Sequence, residues 1–443
     1  MGSDVISLKL QQKFIIGTVI AIFVACVPQI CTSESLGFCS KDDTDCKDGD
    51  IIKSVPRFIL YDVNPPEGFN LRRDVYMRMA RFVRKLKKVG DWHLVLPPWG
   101  RMYHWQSLDV GAQDRLPWSL FFDIPSLKRF APVIEMHEFM REYGNLTLDV
   151  VYVLQHYEDM WKSGKWEDKF SIEPCNEEIY YSKLSSGKFR GWFWGYSNIT
   201  ASEVQCLSFH GHVSLLRGVV QNLSARAVMF DHAEVALHDV FGDAVYWQAR
   251  RSMRFAPVLV RLAANFRAEH LNSTDEADGT TRPDDWTLEK PRSGTKGGPY
   301  LCVHMRRKDF LLGRPKHVPS IAGAATQLRQ RLKELGLTTV FVATDAPDEE
   351  FEELQRHLSS FQVLRYTPAQ VVKETYKDGG VAIIEQIICS HARFFIGTYE
   401  STFSFRIQEE REIMGFPEAR TFNRLCGDAE KKCSPPTAWR IVF

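Results

Sequence analysis

The 443-residue chain carries no G-x-x-x-x-G-K-[ST] run, which removes the phosphate cradle and lysine of P-loop NTPases. It has no G-x-G-x-x-G, so hydride transfer with a dinucleotide has no support. No Cys-x-x-Cys or His/Cys cluster stands at zinc spacing. Neither charge sign is in excess: 56 Lys and Arg against 55 Asp and Glu leave a net +1. No global field therefore points to nucleic acid or an acidic membrane. Internal repeats and low-complexity segments are missing as well. The one marked apolar run, Phe14 to Val27, is shorter than the ~20 residues that span a bilayer.

What is present is ordinary for a globular chain: 44% hydrophobic and 25% charged residues exclude a mostly disordered or fibrous protein. At ~100–200 residues per domain the length gives two or three domains. Lys9 and Lys13 flank the apolar run, Pro28 stops it, and small residues follow. Residues 1–33 read as a secretory signal, with an uncleaved anchor as the alternative. Four Asn-x-Ser/Thr sequons, at Asn145, Asn198, Asn222 and Asn272, suit glycosylated surface loops in that pathway. Once the signal is cleaved, no membrane insertion is expected. The compartment permits disulfides. Signal removal takes Cys26 and Cys31. Sequence proximity suggests Cys39–Cys46 and Cys426–Cys433, with Cys175–Cys206 between them. Cys302, in an apolar strand, and Cys389, on a helical face, are expected as buried thiols.

Residues 34–56 form a polar, acidic tail whose Asp43/Asp45 and Asp48/Asp50 pairs read as solvated linker. Arg57 to Val63 reads as a strand. Leu71, Val75, Met79, Phe82 and Leu86 recur at helical spacing, and Leu94 to Leu96 form a second strand. This β–loop–α–β start argues for a parallel sheet flanked by helices. After a polar stretch from Asn272 to Gly298, strands at Tyr300–His304, Thr339–Ala343, Val363–Leu364 and Phe394–Ile396 alternate with helices. The expected architecture is α/β, with two Rossmann-like domains (57–285 and 299–443) joined by a linker (286–298) and facing a cleft.

Ligands of open α/β sheets sit beyond the carboxyl ends of the strands. Polar residues gather there in both halves: Asp62, Asn64, Glu67 and Asn70 in the first, and His304 to Asp309, Thr344-Asp345, Gly397-Thr398 and Ser401-Thr402 in the second. Arg306 and Arg307 offer planar donors for phosphate. The hydroxyls and N–H groups at Ser401-Thr402 suit a second phosphate contact. A nucleotide diphosphate held by arginine without metal fits this set. A loop carboxylate such as Glu67 could take a proton from an acceptor hydroxyl, and a fixed guanidinium could meet charge on a departing diphosphate.

Several long motifs then carry a family resemblance: Tyr61-Asp-Val-Asn-Pro-Pro-Glu67-Gly-Phe-Asn70-Leu-Arg-Arg-Asp74, Leu96-Pro-Pro-Trp-Gly-Arg-Met-Tyr-His-Trp-Gln106, Arg190-Gly-Trp-Phe-Trp-Gly-Tyr196 and His304-Met-Arg-Arg-Lys-Asp-Phe310. Phe341 to Asp345, Lys377-Asp-Gly-Gly380 and Phe394 to Thr398 continue it. From about residue 56 onward the chain resembles the GDP-fucose protein O-fucosyltransferases, in the branch that modifies thrombospondin type 1 repeats. The resemblance implies a GT-B-like fold and inverting, metal-independent transfer of fucose from GDP-fucose to Ser or Thr hydroxyls of folded thrombospondin type 1 repeats. No cofactor is required. Glu67 matches the family's catalytic base, and Arg306 the residue on the diphosphate. Pro66, Glu67, Gly68, Phe69, Asn70, His304, Met305, Arg306, Asp309, Thr402 and Phe403 match GDP-fucose contacts. Glu385 stands where an Asp facing the nucleotide is expected, one methylene longer.

Residence in the endoplasmic reticulum lumen rests on the resemblance alone, since Trp439 to Phe443 form no retrieval tetrapeptide. A monomer is expected. The alternatives are a fucosyltransferase for EGF-like repeats or glycans, and an inactive lumenal binding protein. A glycosidase ranks third, because Glu67 has no convincing carboxyl partner in the sequence.

Overall fold

A computed structural model describes residues 55–443 apart from Pro66 and residues 159–165. The expected signal, most of the acidic tail and the Cys39–Cys46 pair lie outside the described residues. Among the described helices, none is long and apolar enough to cross a membrane.

The first half is built on β1 (Arg57–Tyr61). Phe58, Ile59, Leu60 and Tyr61 are all buried, so both faces of the strand are covered, as in an interior parallel strand. α1 (Phe69–Leu86) follows, and its Val75, Met79, Phe82, Val83 and Leu86 enter the core. Arg84 and Lys85 in its last turn suit the negative end of the helix dipole. The sheet continues with β2 (Trp92–Leu96), β3 (Val133–Glu135), β4 (Thr147–Gln155), β5 (Lys169–Ile172), β6 (Ser182–Lys183), β7 (Phe189–Arg190), β8 (Thr200–His210) and β9 (Ala227–Asp231). Its order is β3-β2-β1-β9-β4-β8-β7-β6, with β5 beside β8. The β3-to-β8 part is parallel; β5, β6 and β7 join antiparallel at the far edge.

The second half holds a four-stranded parallel sheet of order β12-β11-β10-β13: β10 (Gly298–Met305), β11 (Thr339–Thr344), β12 (Gln362–Leu364) and β13 (Ala392–Ile396). The crossover helices include α6 (Ile321–Leu335), α7 (Asp348–His357) and α8 (Gln370–Ser390), and α9 (Thr402–Ile413) follows β13. The polar stretch from Asn272 to Gly298 is pinned rather than loose. Asp278 is buried against Arg267 at 3.2 Å, and Trp286 is buried with its Nε1–H on Ser126 O at 3.2 Å.

The two halves share one core. Phe69, Phe121, Tyr300, Cys302, Phe341 and Ile383 belong to a single apolar cluster. Inside it lies an ionic lattice joining α1 and α3 (Ala244–Ser252) to α9. Arg250 pairs with Glu409 at 2.6 Å and with Glu410 at 2.8 Å, and Arg406 pairs with Glu409 at 3.0 Å. Tyr246 donates to Glu409 at 2.5 Å, and Asp74 is gripped by Arg78 (2.6 Å) and His238 (3.1 Å). Burial pushes the Glu410 carboxyl upward, but Arg250, Arg282 and Arg254 hold it at about 2. It is therefore charged at neutral pH.

The structure pairs Cys175 with Cys206 and Cys426 with Cys433. It corrects the expectation of two thiols: Cys302 and Cys389 form a disulfide with Cα atoms 5.3 Å apart. Each side chain was read correctly as buried, but β10 and α8 face one another across the core and bring the sulfurs together. Their 87-residue separation hides this in the sequence.

Removing one member of a buried ion pair leaves its partner uncompensated. Glu409→Ala is expected to cost about 3–5 kcal/mol, measured by denaturant unfolding; a loss under ~1 kcal/mol would contradict the lattice's role.

Candidate active site

Each parallel sheet has a point where the strand order reverses, and a crevice opens beyond the carboxyl ends there. In the first sheet it lies between β1 and β9, and in the second between β10 and β13. The loop after β1 carries Asp62, Asn64, Glu67 and Gly68 into α1. The turn after β10 carries Arg306, and Gly397-Thr398 follow β13.

At the second crevice every polar group is fixed. Thr398 Oγ1 donates to His304 O (2.7 Å) and accepts from the Arg306 N–H (3.0 Å). The Arg306 guanidinium pairs with Asp345 at 2.8 Å and Asp309 at 2.6 Å. His304 is buried, lies 2.8 Å from Ser404 Oγ through Nδ1, and stacks on Phe403 with ring centroids 4.4 Å apart. Burial, then the Arg306 charge, push its imidazole down to about 3, so it is neutral in the working range. Thr402 opens α9 beside it. Met305 is buried, and its carbonyl accepts from Thr344 Oγ1.

Arg307 departs from the phosphate expectation. Its side chain turns into the protein, where it binds Glu350 (2.7 Å) and Pro319 O (2.6 Å). Successive residues leaving a strand point to opposite sides, so only one of the two arginines faces the cleft.

At the first crevice, Glu67 donates its N–H to Asn64 O at 2.9 Å. Phe69 is buried in an aromatic cluster with Trp99 (4.8 Å) and Trp105 (5.4 Å), so only its backbone faces outward chemistry. Asn70 Oδ1 accepts from Gln386 Nε2 (2.9 Å) and Arg73 (3.1 Å), tying the start of α1 to α8. Glu385, next to Gln386, is half-buried and makes no ion pair or hydrogen bond among the described residues. Burial, with Asp345 adding to it against Arg365, pushes its carboxyl up to about 8.

Sequence reasoning overlooked His104. Its Nδ1 lies 2.8 Å from Arg306 Nη2, and its ring would lie 3.5 Å from a Cβ on Gly68. Partial burial and the Arg306 charge push its pKa down. The signal was present, because His104 stands in the Leu96–Gln106 motif. The Lys377-Asp-Gly-Gly motif explains how it is held. α8 breaks at Lys377, whose φ is 59°, and Lys377 Nζ donates to Val110 O. Asp378 accepts from Ser107 N–H (3.1 Å) and Gln113 (3.0 Å). A Cβ on Gly379 would lie 2.6 Å from Trp105, so only glycine fits. The break straps down the loop that carries His104. Of the motif aromatics, Trp99 and Trp194 are core, while Tyr103 and Trp192 are exposed, Trp192 beneath Arg101 at 3.5 Å.

The family model for GDP-fucose protein O-fucosyltransferase matches residues 58–414. The chain belongs to the GDP-fucose protein O-fucosyltransferase family. It is thus a glycosyltransferase. Curated relatives named GDP-fucose protein O-fucosyltransferase 2 include one from Homo sapiens, 52% identical over 389 residues, covering 87% of this chain and 90% of that protein. The Caenorhabditis elegans relative is 45% identical over 400 residues, covering 88% and 92%. Crystal structures of POFUT1 share the fold: the complex with GDP has a TM-score of 0.55 at 15% identity, covering 84% of this chain and 99% of that one. The complex with GDP-fucose gives 0.54 at 15%, covering 83% and 98%. The architecture of this fucosyltransferase is accordingly α/β and GT-B-like, with two Rossmann-like sheets about one cleft.

A carboxyl raised in the folded state binds its proton more tightly there than in the unfolded chain. The folded protein then holds more protons between about pH 4.5 and 8, so stability falls as pH rises through that window. Glu385→Gln is expected to flatten the decline in melting temperature from pH 5 to 8, followed by thermal unfolding. An unchanged slope would mean that Glu385 is ionised in the folded enzyme.

Proposed function

We propose that this enzyme transfers fucose from GDP-fucose to a Ser or Thr hydroxyl of a folded thrombospondin type 1 repeat, with inversion and without a required metal. The observation that carries the reading is Arg306, held by two carboxylates and by His104, whose ring would lie 3.5 Å from a Cβ at Gly68 beside Glu67. Relatives at 43–53% identity bear the name of the type 2 enzyme, and the POFUT1 complexes hold GDP and GDP-fucose in the same fold.

In this reading, Glu67 takes the proton of the acceptor hydroxyl as its oxygen bonds to the sugar's anomeric carbon. The bond from that carbon to the diphosphate breaks in the same displacement, so the configuration inverts. The Arg306 guanidinium meets the charge left on the diphosphate from a geometry that needs no reorganisation. His304, Asp309, Thr402 and Phe403 complete the donor pocket. Met305, Gly68 and Phe69 contribute backbone, Asn70 fixes the base's helix, and Glu385 faces the nucleotide as a neutral acid. Pro66, adjoining Glu67, belongs to the same loop in sequence. The sequons at Asn145, Asn198, Asn222 and Asn272 all lie exposed, as carriers of glycans in the endoplasmic reticulum lumen would.

Glu67→Gln is expected to lose transfer while keeping GDP affinity, and Arg306→Ala to lose both, measured by radiolabelled transfer and calorimetry. The decisive assay offers folded thrombospondin and EGF-like repeats side by side, with and without chelator. Preference for the EGF-like repeat, or full chelator sensitivity, would reject the corresponding part of the reading.

A further inference from the structure

The loop between β1 and α1 has little internal bonding beyond the Glu67 N–H on Asn64 O at 2.9 Å. Its Asn64-Pro65-Pro66-Glu67 run contains two residues without an N–H, so the backbone has few donors to offer its own carbonyls. Gly68, at the N-cap of α1, has no side chain to cap the helix. The carbonyls are instead collected by one side chain from the first turn. Arg72 Nε donates to Glu67 O at 3.0 Å, and its Nη2 donates to Asn64 O at 3.2 Å and Pro65 O at 3.4 Å. Its Nη1 lies 3.4 Å from Asp62 Oδ1, at the end of β1. On the other side of the loop, Glu234 accepts the Asn64 N–H at 3.2 Å. A cation in the first turn opposes the helix dipole, and α1 has no acidic residue there to offset it. Dipole and propensity therefore give no reason for an arginine at this position; the carbonyl cluster does.

We propose that Arg72 is the positioning residue of the loop that presents Glu67, an inference that rests on the reading of Glu67 as the base. The planar fork of the guanidinium reaches three carbonyls at once, which an ammonium cannot do. Its backbone is fixed in turn, since the Arg72 N–H bonds to Gly68 O at 3.0 Å and α1 is anchored by Phe69, Val75 and Tyr76 in the core. The loop is thereby referenced to the rigid sheet and helix rather than to solvent. None of the contacts that hold Arg306, His304 or Thr398 passes through Arg72, so the Arg306 side of the donor pocket stands without it.

The test compares Arg72→Ala, Arg72→Lys and Glu67→Gln in the full-length enzyme, with GDP-fucose and a folded thrombospondin repeat. Arg72→Ala is expected to lower kcat about 100-fold, the order seen for misplaced groups, with GDP affinity unchanged within about twofold. Millimolar guanidinium should restore part of that kcat and none of the activity of Glu67→Gln. Arg72→Lys should fall about tenfold, since one ammonium replaces a three-way fork. Wild-type kcat in either folded Arg72 variant overturns the proposal. So does a matched loss of melting temperature and GDP affinity without guanidinium rescue, which marks a merely structural residue. Should Arg72→Ala fail to fold, Arg72→Lys decides on the same criteria, and failure of both to fold also overturns it. Full activity of Glu67→Gln would instead strike the reading of Glu67, and is scored separately.

Discussion

The two halves are held in register by buried ion pairs of Glu409 and Glu410. Both glutamates lie on α9, in the second half of the chain, and their counter-ions Arg250 and Arg282 come from the first. Burying ions is costly, and the cost is met only when partners and hydrogen bonds are in register. The register therefore fixes where α9 sits against α1 and α3. The first turn of the same helix presents Thr402 and Phe403, and with them Ser404 to His304. Apolar packing alone is non-directional and would tolerate a sliding of the two sheets. The lattice does not, and so the distance between the Glu67 loop and Arg306 is set far from either.

The cleft itself uses the same device at smaller scale. Arg306 meets two carboxylates and a neutral histidine, Arg307 turns inward to Glu350, and Asp345 serves both by accepting the Arg307 N–H and pairing with Arg306. A guanidinium so constrained presents its remaining surface in one direction. The neutrality of His304 matters here, because a protonated ring would repel the Arg306 guanidinium beside it. Its burial keeps it uncharged without a carboxylate partner.

Much of this was legible in the sequence. The strands at Arg57–Tyr61, Tyr300–His304 and Thr339–Ala343 are continuous apolar runs, and polar residues collect at their ends, so the two crevices follow from topology. The motif residues around Glu67 and Arg306 follow the carboxyl ends of β1 and β10. The failures share a cause. β8 mixes polar residues with apolar ones without clear alternation, and the apolar run of β9 is only four residues long. Cys302 and Cys389 read as thiols, and Arg307 as a phosphate ligand, because each was judged by its local run. Partner choice across the core depends on residues far away in the chain. His104 stood inside a recognised motif yet was missed, since nothing local says that its loop reaches over to Arg306.

The shared core has a consequence for how the chain comes to be folded. Arg73 meets Gln386 across 313 residues, and Asn70 meets it across 316. Tyr246 finds Glu409 across 163. A chain emerging from its N-terminus completes the first sheet long before these partners exist. Until the last quarter arrives, α1 holds a buried arginine and an aspartate with part of their surroundings missing, and the face meant for α8 stays open. Contacts of such separation form late and slowly, and an open apolar face is a hazard in the interval. The protein thus behaves as a single folding unit despite its two sheets. Its halves are architectural repeats of one idea and not modules that synthesis, or exchange between relatives, could handle one at a time.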